Sequence, residues 1–172
     1  KARTLRELIA AAREKPDAIT YGTAGIGTTQ HLTSELLASM VGAKMLHVPY
    51  RGDAGALAAL LGGEVVFIVT PLTTVVAQLG PGKLKAIAVS RNGRWRGLPA
   101  IPTVAQEGVP GFDVGSWTGL AAAKGTSRTI VDRLNAEMRR ALEAAEVKAR
   151  LESCGSEAKA STPDEMRARV AG

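Results

Sequence analysis

The sequence predicts an α/β fold with a mainly parallel sheet, and three observations carry this prediction. Short β-branched segments alternate with helical patterns in the 172-residue chain, and the connections between them are short. The segment EVVFIVT at 64–70 is rich in β-branched residues and contains the uninterrupted apolar run VVFIV, as expected of a strand buried on both faces. Hydrophobic residues make up 45% of the chain and aromatic residues only 3%, which favours aliphatic helices packed on a sheet over an all-β sandwich.

The predicted elements begin with a helix over residues 5–12 that Thr4 caps, followed by a short strand at 18–21. A second helix is capped by Thr28 or Thr29 and stops at Gly42. Its predicted buried stripe consists of Leu32, Leu36, Leu37 and Met40. The remaining elements of this part are strands at 45–50, 64–70 and 84–90, a short helix closed by Gly62 and Gly63, a helix and turn at 72–82, and a loop at 91–112 with a helical turn at 103–107.

The rest of the chain is predicted to be helical. A helix runs from Thr126, and a second follows at 146–151. A third begins with Thr162 as its N-cap and Pro163 in its first turn. The four apolar residues at i, i+4, i+8 and i+12 of the first of these helices are Ile130, Leu134, Met138 and Leu142.

Composition excludes several classes of function. The formal net charge of +6 is spread along the chain, which indicates a solvated basic surface rather than a nucleic-acid interface. Cys154 is the single cysteine, so neither an intrachain disulfide nor a cysteine metal site is available. His31 and His47 lie far apart in the sequence with no carboxylate at ligand spacing, so we predict no metal and no cofactor.

No apolar run approaches the roughly 20 residues that span a bilayer. The first 18 residues show an amphipathic helix pattern without the apolar core of a signal peptide. If the protein is exported, its signal is expected to lie outside this sequence.

The segment YGTAGIGTTQHL at residues 21–32 has the order strand, glycine-rich turn and helix start, which is typical of an anion site. Thr28 stands where a nucleotide-binding P-loop requires lysine, and the dinucleotide pattern G-x-G-x-x-G is absent. Neutral N–H and hydroxyl donors suit a carboxylate better than a triphosphate. Two readings stay open from these residues alone: a carboxylate cradle, and a tight turn whose hydroxyls only cap the helix.

An enzyme with a Ser or Thr nucleophile is the alternative of another class, with the glycine loop as its oxyanion hole. Such an enzyme needs a nucleophile, a base and an orienting acid. The chain has no G-x-S-x-G elbow, and His31 lies in an apolar helical context that favours packing or capping. We therefore predict that the protein is not an enzyme.

Five stretches in order carry a resemblance to a known family: YGTAGIGTTQHL, HVPYRGDAGALAALLGGEV, GKLKAIAVS, LPAIPTVAQEGVPGF and SWTGLAAAKGTSRTIVDRLNAEMRRAL. The series resembles the tripartite tricarboxylate transporter receptors, or Bug proteins, which are periplasmic solute-binding proteins. It covers residues 4–170, and its most specific parts are Val48, Pro49, Tyr50 and Gly52 with the PTVAQEGVPG segment.

The resemblance implies a two-lobed Venus-flytrap of type II periplasmic-binding-protein topology that holds a small organic anion, a di- or tricarboxylate, between α/β lobes. It implies that residues 1–116 form the second lobe and that 117–172 are the crossover and C-terminal helices of an incomplete first lobe. The ligand residues that it implies, with the strand ends beside them, are Thr23, Ala24, Gly25, Gly27, Thr28, Thr29, Tyr50, Gly52 and Thr70. Tyr21 and His31 either shape the floor of that site or belong to the core.

The resemblance also implies a periplasmic location and membrane transporter subunits as partners. Family members are nearly twice as long, so this chain is expected to be a fragment with one jaw of the site. The apolar residues of the helix after Thr126 would then be exposed and favour self-association, for example as a homodimer through the C-terminal helices. A module with little ligand binding of its own, or a sensory binding domain, stays open as an alternative.

Overall fold

The computed structural model describes residues 2–80 and 82–171, and the chain divides into two compact units. Unit 1 comprises Lys1–Ser116, and unit 2 comprises Trp117–Gly172. The α/β class predicted from the sequence is confirmed: unit 1 has a parallel sheet flanked by helices, and unit 2 is helical.

The sheet of unit 1 has three strands: β1 (Thr20–Thr23), β2 (Leu46–Pro49) and β3 (Phe67–Ile68). Their spatial order is β2-β1-β3, and both pairings are parallel. Tyr21 of β1 lies opposite His47 of β2 on one side and Phe67 of β3 on the other. The first strand in the chain is therefore the central one, and its carboxyl end lies between those of its neighbours.

Four helices surround this sheet: α1 (Leu5–Glu14), α2 (Thr29–Met40), α3 (Asp53–Gly62) and α4 (Leu72–Leu79). The predicted caps of the first two are confirmed, because the Thr4 hydroxyl accepts the N–H of Glu7 and the Thr28 hydroxyl accepts the N–H of His31. The predicted stop of α2 is also confirmed by the left-handed backbone of Gly42. The predicted turn after α4 includes Pro81, which lies outside the described residues.

The predicted buried stripe of α2 is confirmed for Leu37 and wrong for its other three residues. The helix buries Thr33, Ser34, Leu37 and Ala38, whereas Leu32, Leu36 and Met40 are 60%, 41% and 42% exposed. Small side chains let the helix approach the sheet closely, and the hydroxyl of the fully buried Ser34 is satisfied, since Ser34 Oγ donates to the Gln30 carbonyl at 2.8 Å.

Two predicted strands need correction. The segment 64–70 contributes only the two residues of β3, and Val66 between the buried Val65 and Phe67 is 44% exposed, so the segment is buried on one face. The segment 84–90 forms no strand, but only an isolated bridge from Val89. Its backbone hydrogen bonds join Leu84 to residue 78, Val89 to residues 102 and 104, and Ser90 to residue 114, so its backbone groups are paired with loops and α4 rather than with a neighbouring strand.

The core of unit 1 lies between α1, α2, the sheet and the end of the 91–116 loop. Polar side chains in it are few and small. Its buried apolar cluster consists of Leu5, Leu8, Ile9, Ala12, Tyr21, Leu37, Ala38, Val41, Met45, Phe67, Val104, Val109 and Phe112.

Unit 2 contains α5 (Arg128–Glu143), α6 (Ala145–Ser153) and α7 (Pro163–Ala171). Thr162 caps α7 as the sequence predicts. Glu165 completes a reciprocal box by accepting the Thr162 backbone N–H, which lowers the pKa of the Glu165 carboxyl. None of the described residues of unit 2 is buried. Among the described residues, no helix is both long and apolar enough to cross a lipid bilayer.

Candidate functional site

The glycine loop, residues 24–28, connects the carboxyl end of β1 to the first residue of α2. Gly25 and Gly27 have φ angles of 143° and 78°, which residues with a Cβ rarely adopt. Gly27 is exposed, and Gly25 is half-buried. The loop therefore turns sharply enough to bring the start of α2 directly beyond the end of β1.

Hydrogen bonds within the loop leave part of the helix start free. The Thr28 hydroxyl donates to the Gly25 carbonyl at 2.7 Å and accepts the N–H of His31 at 3.4 Å. Among the described residues, the backbone N–H groups of Thr29 and Gln30 donate no hydrogen bond. These two N–H groups, with the positive end of the helix dipole behind them, form a donor pair for an anion.

The segment after β2 is fastened to this loop. The Tyr50 N–H donates to the Thr23 carbonyl at 2.9 Å, and the Gly52 N–H donates to the Ala24 carbonyl at 3.1 Å. Ligands of open α/β sheets gather where neighbouring parallel strands end. The structure thus brings six of the predicted residues of the loop together with the two that follow β2.

Thr70 lies two residues after β3, which is the other neighbour of β1. Its hydroxyl is buried and has no hydrogen-bond partner within the described part of the chain. No hydrogen bond joins Thr70 to the described residues of the glycine loop. Thr70 therefore shares the carboxyl edge of the sheet with the loop, but is not fastened to it.

Four rings form a continuous row behind the loop, which we call the ring row. His31 stacks on His47 with centroids 4.1 Å apart, His47 stacks on Tyr21 at 5.0 Å, and Tyr21 stacks on Phe67 at 5.6 Å. Each contact is close to parallel, with interplanar angles of 18° to 27°. The row connects the exposed loop to the buried centre of the sheet.

Both histidines of the ring row are bonded to the loop. The Gly27 N–H donates to Nδ1 of His31 at 3.2 Å, and Nε2 of His47 lies 2.7 Å from the Thr23 hydroxyl. Burial lowers the pKa of His47, the neighbouring His31 lowers it further, and Glu35 opposes the shift. The lowered pKa favours the neutral imidazole of His47, and the hydrogen bonds of both rings hold the loop in place.

Tyr21 belongs to the core rather than to the open site. Its side chain is fully buried, and its hydroxyl donates to the Glu35 carboxylate on α2. Burial and the Glu35 bond raise the pKa of Tyr21 well above its ordinary value. Of the two readings open for Tyr21, the structure favours packing.

Charged groups near the loop are few. No acidic residue, lysine or arginine occurs in residues 21–34, and the first charged side chain of α2 is Glu35. Asp53 at the start of α3 accepts from Gln30 Nε2 at 2.7 Å, which joins the starts of two helices. Arg51 is exposed between them and adds positive potential at the rim. No cluster of three or more metal-ligating side chains occurs among the described residues.

Sequence reasoning missed the pairing of the two histidines. The residues are 16 positions apart, and only the parallel register of β1 and β2 brings His47 beside Tyr21 and thereby under His31. The sequence signal for this contact is that one histidine follows the first predicted strand and the other lies within the second.

Free N–H groups at a helix start, neutral hydroxyls and a second strand end hydrogen-bonded beside them define the class of this fold and site: an α/β unit with neutral hydrogen-bond donors at the carboxyl edge of its sheet. The sequence profile of the family described as "Tripartite tricarboxylate transporter family receptor" matches residues 1–169. The chain belongs to this family, as the resemblance in its motifs predicted.

Curated relatives agree with this assignment. A protein from Pseudomonas sp. (strain P51), described as "UPF0065 protein in tcbD-tcbE intergenic region", is 37% identical over 163 residues, which are 94% of this chain and 48% of that protein. The Protein BugT of Bordetella pertussis is 31% identical over 98% of this chain and 52% of its own length. The chain spans about half the length of the curated relatives it matches.

Solved structures agree as well. Rpa4515 of R. palustris, solved with adipate, superposes with a TM-score of 0.93 at 32% identity, over 99% of this chain and 57% of that one. The periplasmic binding protein BugD superposes with a TM-score of 0.84 at 32% identity, over 99% and 57%. MatC of Rhodopseudomonas palustris, solved with bound malate, superposes with a TM-score of 0.82 at 33% identity, over 98% and 56%.

Proposed function

We propose that this chain carries one jaw of a periplasmic receptor that captures a small organic di- or tricarboxylate for a transporter of the tripartite tricarboxylate type. The observation that carries the proposal is the pair of free N–H groups of Thr29 and Gln30 at the start of α2. The family is one of receptors, and adipate and malate, the ligands of two similar structures, are both dicarboxylates.

In the proposed mode, one carboxylate group of the ligand accepts the N–H groups of Thr29 and Gln30, with the Thr29 hydroxyl as a third donor. Each hydrogen bond to a charged acceptor contributes roughly 1.5–3 kcal/mol. Gly25 and Gly27 keep the approach open because they have no side chains. Thr23, Ala24, Tyr50, Gly52 and Thr70 complete the edge as positioning or weaker donor residues. The opposite jaw would bind the far end of the ligand and set its length.

Calorimetry of the full-length gene product against a panel of mono-, di- and tricarboxylates, including adipate, malate and citrate, tests this function. We expect one or more di- or tricarboxylates to bind without being consumed. Product formed from the bound acid would instead support the enzyme alternative. If no member of the panel binds, the proposed function is wrong.

Two substitutions separate a carboxylate cradle from a capped turn. Thr29→Val removes an exposed hydroxyl without touching the cap of α2, so a loss of affinity with unchanged stability indicates ligand binding. Thr28→Val removes the cap and is expected to cost about 1 kcal/mol of stability besides. If the double variant Thr28→Val, Thr29→Val binds the cognate acid with unchanged affinity, the loop is only a turn.

Self-association is a second candidate function, favoured by one observation in unit 2. Ile130, Leu134 and Met138 lie on one face of α5 and are 54%, 44% and 40% exposed. A contiguous apolar stripe of this kind marks an interface. We propose that, in the 172-residue chain, this stripe packs against the same stripe of a second copy, which gives a homodimer through the C-terminal helices.

Light scattering over a range of concentrations tests the homodimer. We expect the mass of the 172-residue chain to double as concentration rises, and Leu134→Lys to hold it at the mass of a monomer. Arg133→Ala, one position away on a polar face, is the matched control and leaves the dimer intact. A chain that stays monomeric at high concentration excludes the homodimer.

A further inference from the structure

The contact that carries a further inference is the bond between His31 and the glycine loop. The Gly27 N–H points at Nδ1 of His31, 3.2 Å away, although this N–H lies in the proposed carboxylate cradle. A ring nitrogen accepts a hydrogen bond only when it carries no proton. The bond therefore exists only while His31 is neutral, with its proton on Nε2.

Protonation of His31 reverses this contact. Nδ1 becomes an N–H donor that faces the Gly27 N–H, so the bond is lost and the Gly27 N–H is released. The same event places a positive charge in the first turn of α2, where the helix dipole disfavours a cation and favours an anion. A bound carboxylate would accept the released N–H and neutralise the new charge.

The groups around His31 fit this role. The ring of His47 on β2 stacks on it, and Tyr21 of β1 lies on the far side of His47. Glu35 lies one helical turn along α2 and is held by the Tyr21 hydroxyl. From α3, Asp53 accepts a bond from the residue before His31. The stacked His47 disfavours a second positive charge beside it, so one proton rather than two is expected in the histidine pair.

We propose that His31 couples proton uptake to carboxylate binding: it occupies the Gly27 N–H while neutral and yields it, with a compensating charge, to the ligand when protonated. This inference rests on the proposed function of the loop as a carboxylate cradle. His31 acts here as a positioning and charge-compensating residue. By linkage, the carboxylate must favour proton uptake by as much as the proton favours carboxylate binding.

Calorimetry of the full-length gene product with malate and with adipate, between about pH 8 and about pH 6, is the first test; carboxylic acids stay largely ionised over this range while imidazole titrates. We expect affinity to rise about fivefold as the pH falls, at the lower end of typical couplings. We also expect net proton uptake on binding, seen as a heat that depends on the buffer.

Two variants show which histidine causes the dependence of affinity on pH, since the chain has only two histidines. His31→Gln keeps an acceptor for Gly27 but cannot take up a proton, so its affinity should no longer depend on pH. His47→Phe keeps a stacked ring and leaves His31 to titrate, so the dependence on pH should persist. An affinity that is independent of pH in the unsubstituted protein, or a dependence that survives His31→Gln, overturns the inference.

An NMR titration of the ligand-free protein is the second test and does not need a variant that folds. The Gly27 amide resonance should shift together with the imidazole resonances of His31, and the protection of this amide, taken relative to the intrinsic exchange rate at each pH, should fall at the acidic end. If the Gly27 amide resonance does not shift as the His31 imidazole resonances do, the inference is overturned. If no acid of the calorimetry panel binds at any pH, the proposed function fails, and the NMR result still decides whether His31 releases Gly27.

Discussion

The two units of this chain differ in how their helices are held. In unit 1, α1 buries four of its ten residues and the core includes the fully buried Tyr21 and Leu8. In unit 2, Ser127 caps α5 and Thr162 caps α7, but α5, α6 and α7 bury no residue among those that the structure describes. Five ion pairs between exposed side chains accompany the helices of unit 2. Exposed pairs contribute little, since solvent screens them.

This difference distinguishes helices that are stabilised by packing on a core from helices that have only local interactions. Isolated helices shorter than about 12–15 residues are marginal in water, and most helical stability in proteins comes from an apolar face packed on something else. Helices α6 and α7 have nine residues each, and the apolar face of α5 is exposed. Unit 1 is thus expected to set the stability of the chain, and unit 2 to depend on whatever covers α5.

The largest expected effect on stability comes from the same substitution, leucine to alanine, made once in each unit. Leu8→Ala removes a side chain that is 1% exposed and is expected to lower the free energy of unfolding by about 2–5 kcal/mol. Leu134→Ala removes a half-exposed side chain and is expected to cost less than about 0.5 kcal/mol in the monomer. Urea denaturation at low protein concentration measures both, and equal losses would contradict the contrast between the units.

The next effect uses the two tyrosines, which both lie in unit 1. The folded-state pKa of Tyr21 is raised, so above about pH 10 the unfolded chain loses a proton that the folded chain keeps. Stability should fall as the pH rises from there, by up to about 1.4 kcal/mol per pH unit, and Tyr21→Phe should flatten this fall. Tyr50→Phe, at a hydroxyl 3.3 Å from Glu64, should change the slope less. Alkaline denaturation series that are alike for Tyr21→Phe and the unsubstituted chain would refute this assignment.

Removal of a helix cap is expected to have different consequences in the two units, although the two cap hydrogen bonds are equally long. The hydroxyls of Thr4 and Thr162 each accept a helix N–H at 3.2 Å, from Glu7 and Glu165. Thr4→Ala should lower the stability of unit 1 by about 1 kcal/mol, because α1 is part of the core. Thr162→Ala should instead speed amide exchange within α7 and leave the unfolding midpoint of unit 1 in place. A shift of that midpoint by Thr162→Ala would show that the units unfold together.

The smallest effect compares two arginines. Arg13 Nε donates to the Val41 carbonyl at 2.7 Å at the end of α2, and its replacement by Ala should cost about 1 kcal/mol. Arg133 pairs with Glu137 at 3.2 Å in full contact with solvent, so Arg133→Ala should cost less than about 0.5 kcal/mol and should lose even that effect at high salt. Thermal unfolding at low and high ionic strength checks both, and a salt-insensitive loss for Arg133→Ala would count against a surface pair.

Local chemistry made most of the fold predictable. Caps such as Thr4 and Thr162 and the stop at Gly42 act within a few residues of themselves, so the sequence indicates them directly. The face that α2 buries depends instead on how closely the helix approaches the sheet, and this favours Ser34 over Leu36. The segment 84–90 has the composition of a strand, but it has no partner strand of sufficient length.

The candidate site likewise has a part that the sequence predicts and a part that it does not. The strand, glycine turn and cap at Thr28 could be predicted because they are contiguous, and so could the place of Gly52 after the next strand. The contact of His31 with His47 could not, because it depends on the register between β1 and β2 and on the position of α2 over both. Long-range register is set by the whole sheet rather than by the residues that meet in it.

The order of the sheet, with the earliest strand in the middle, has a consequence for synthesis on the ribosome. Domains form from the N-terminus while the remainder is still being made. Here β2 and then β3 each emerge after β1 and find one of its two edges open. Neither β2 nor β3 has to be inserted between two strands that have already paired. These three strands can therefore pair outward from β1 as they are made, and β1 is the first of the three whose two edges are both covered.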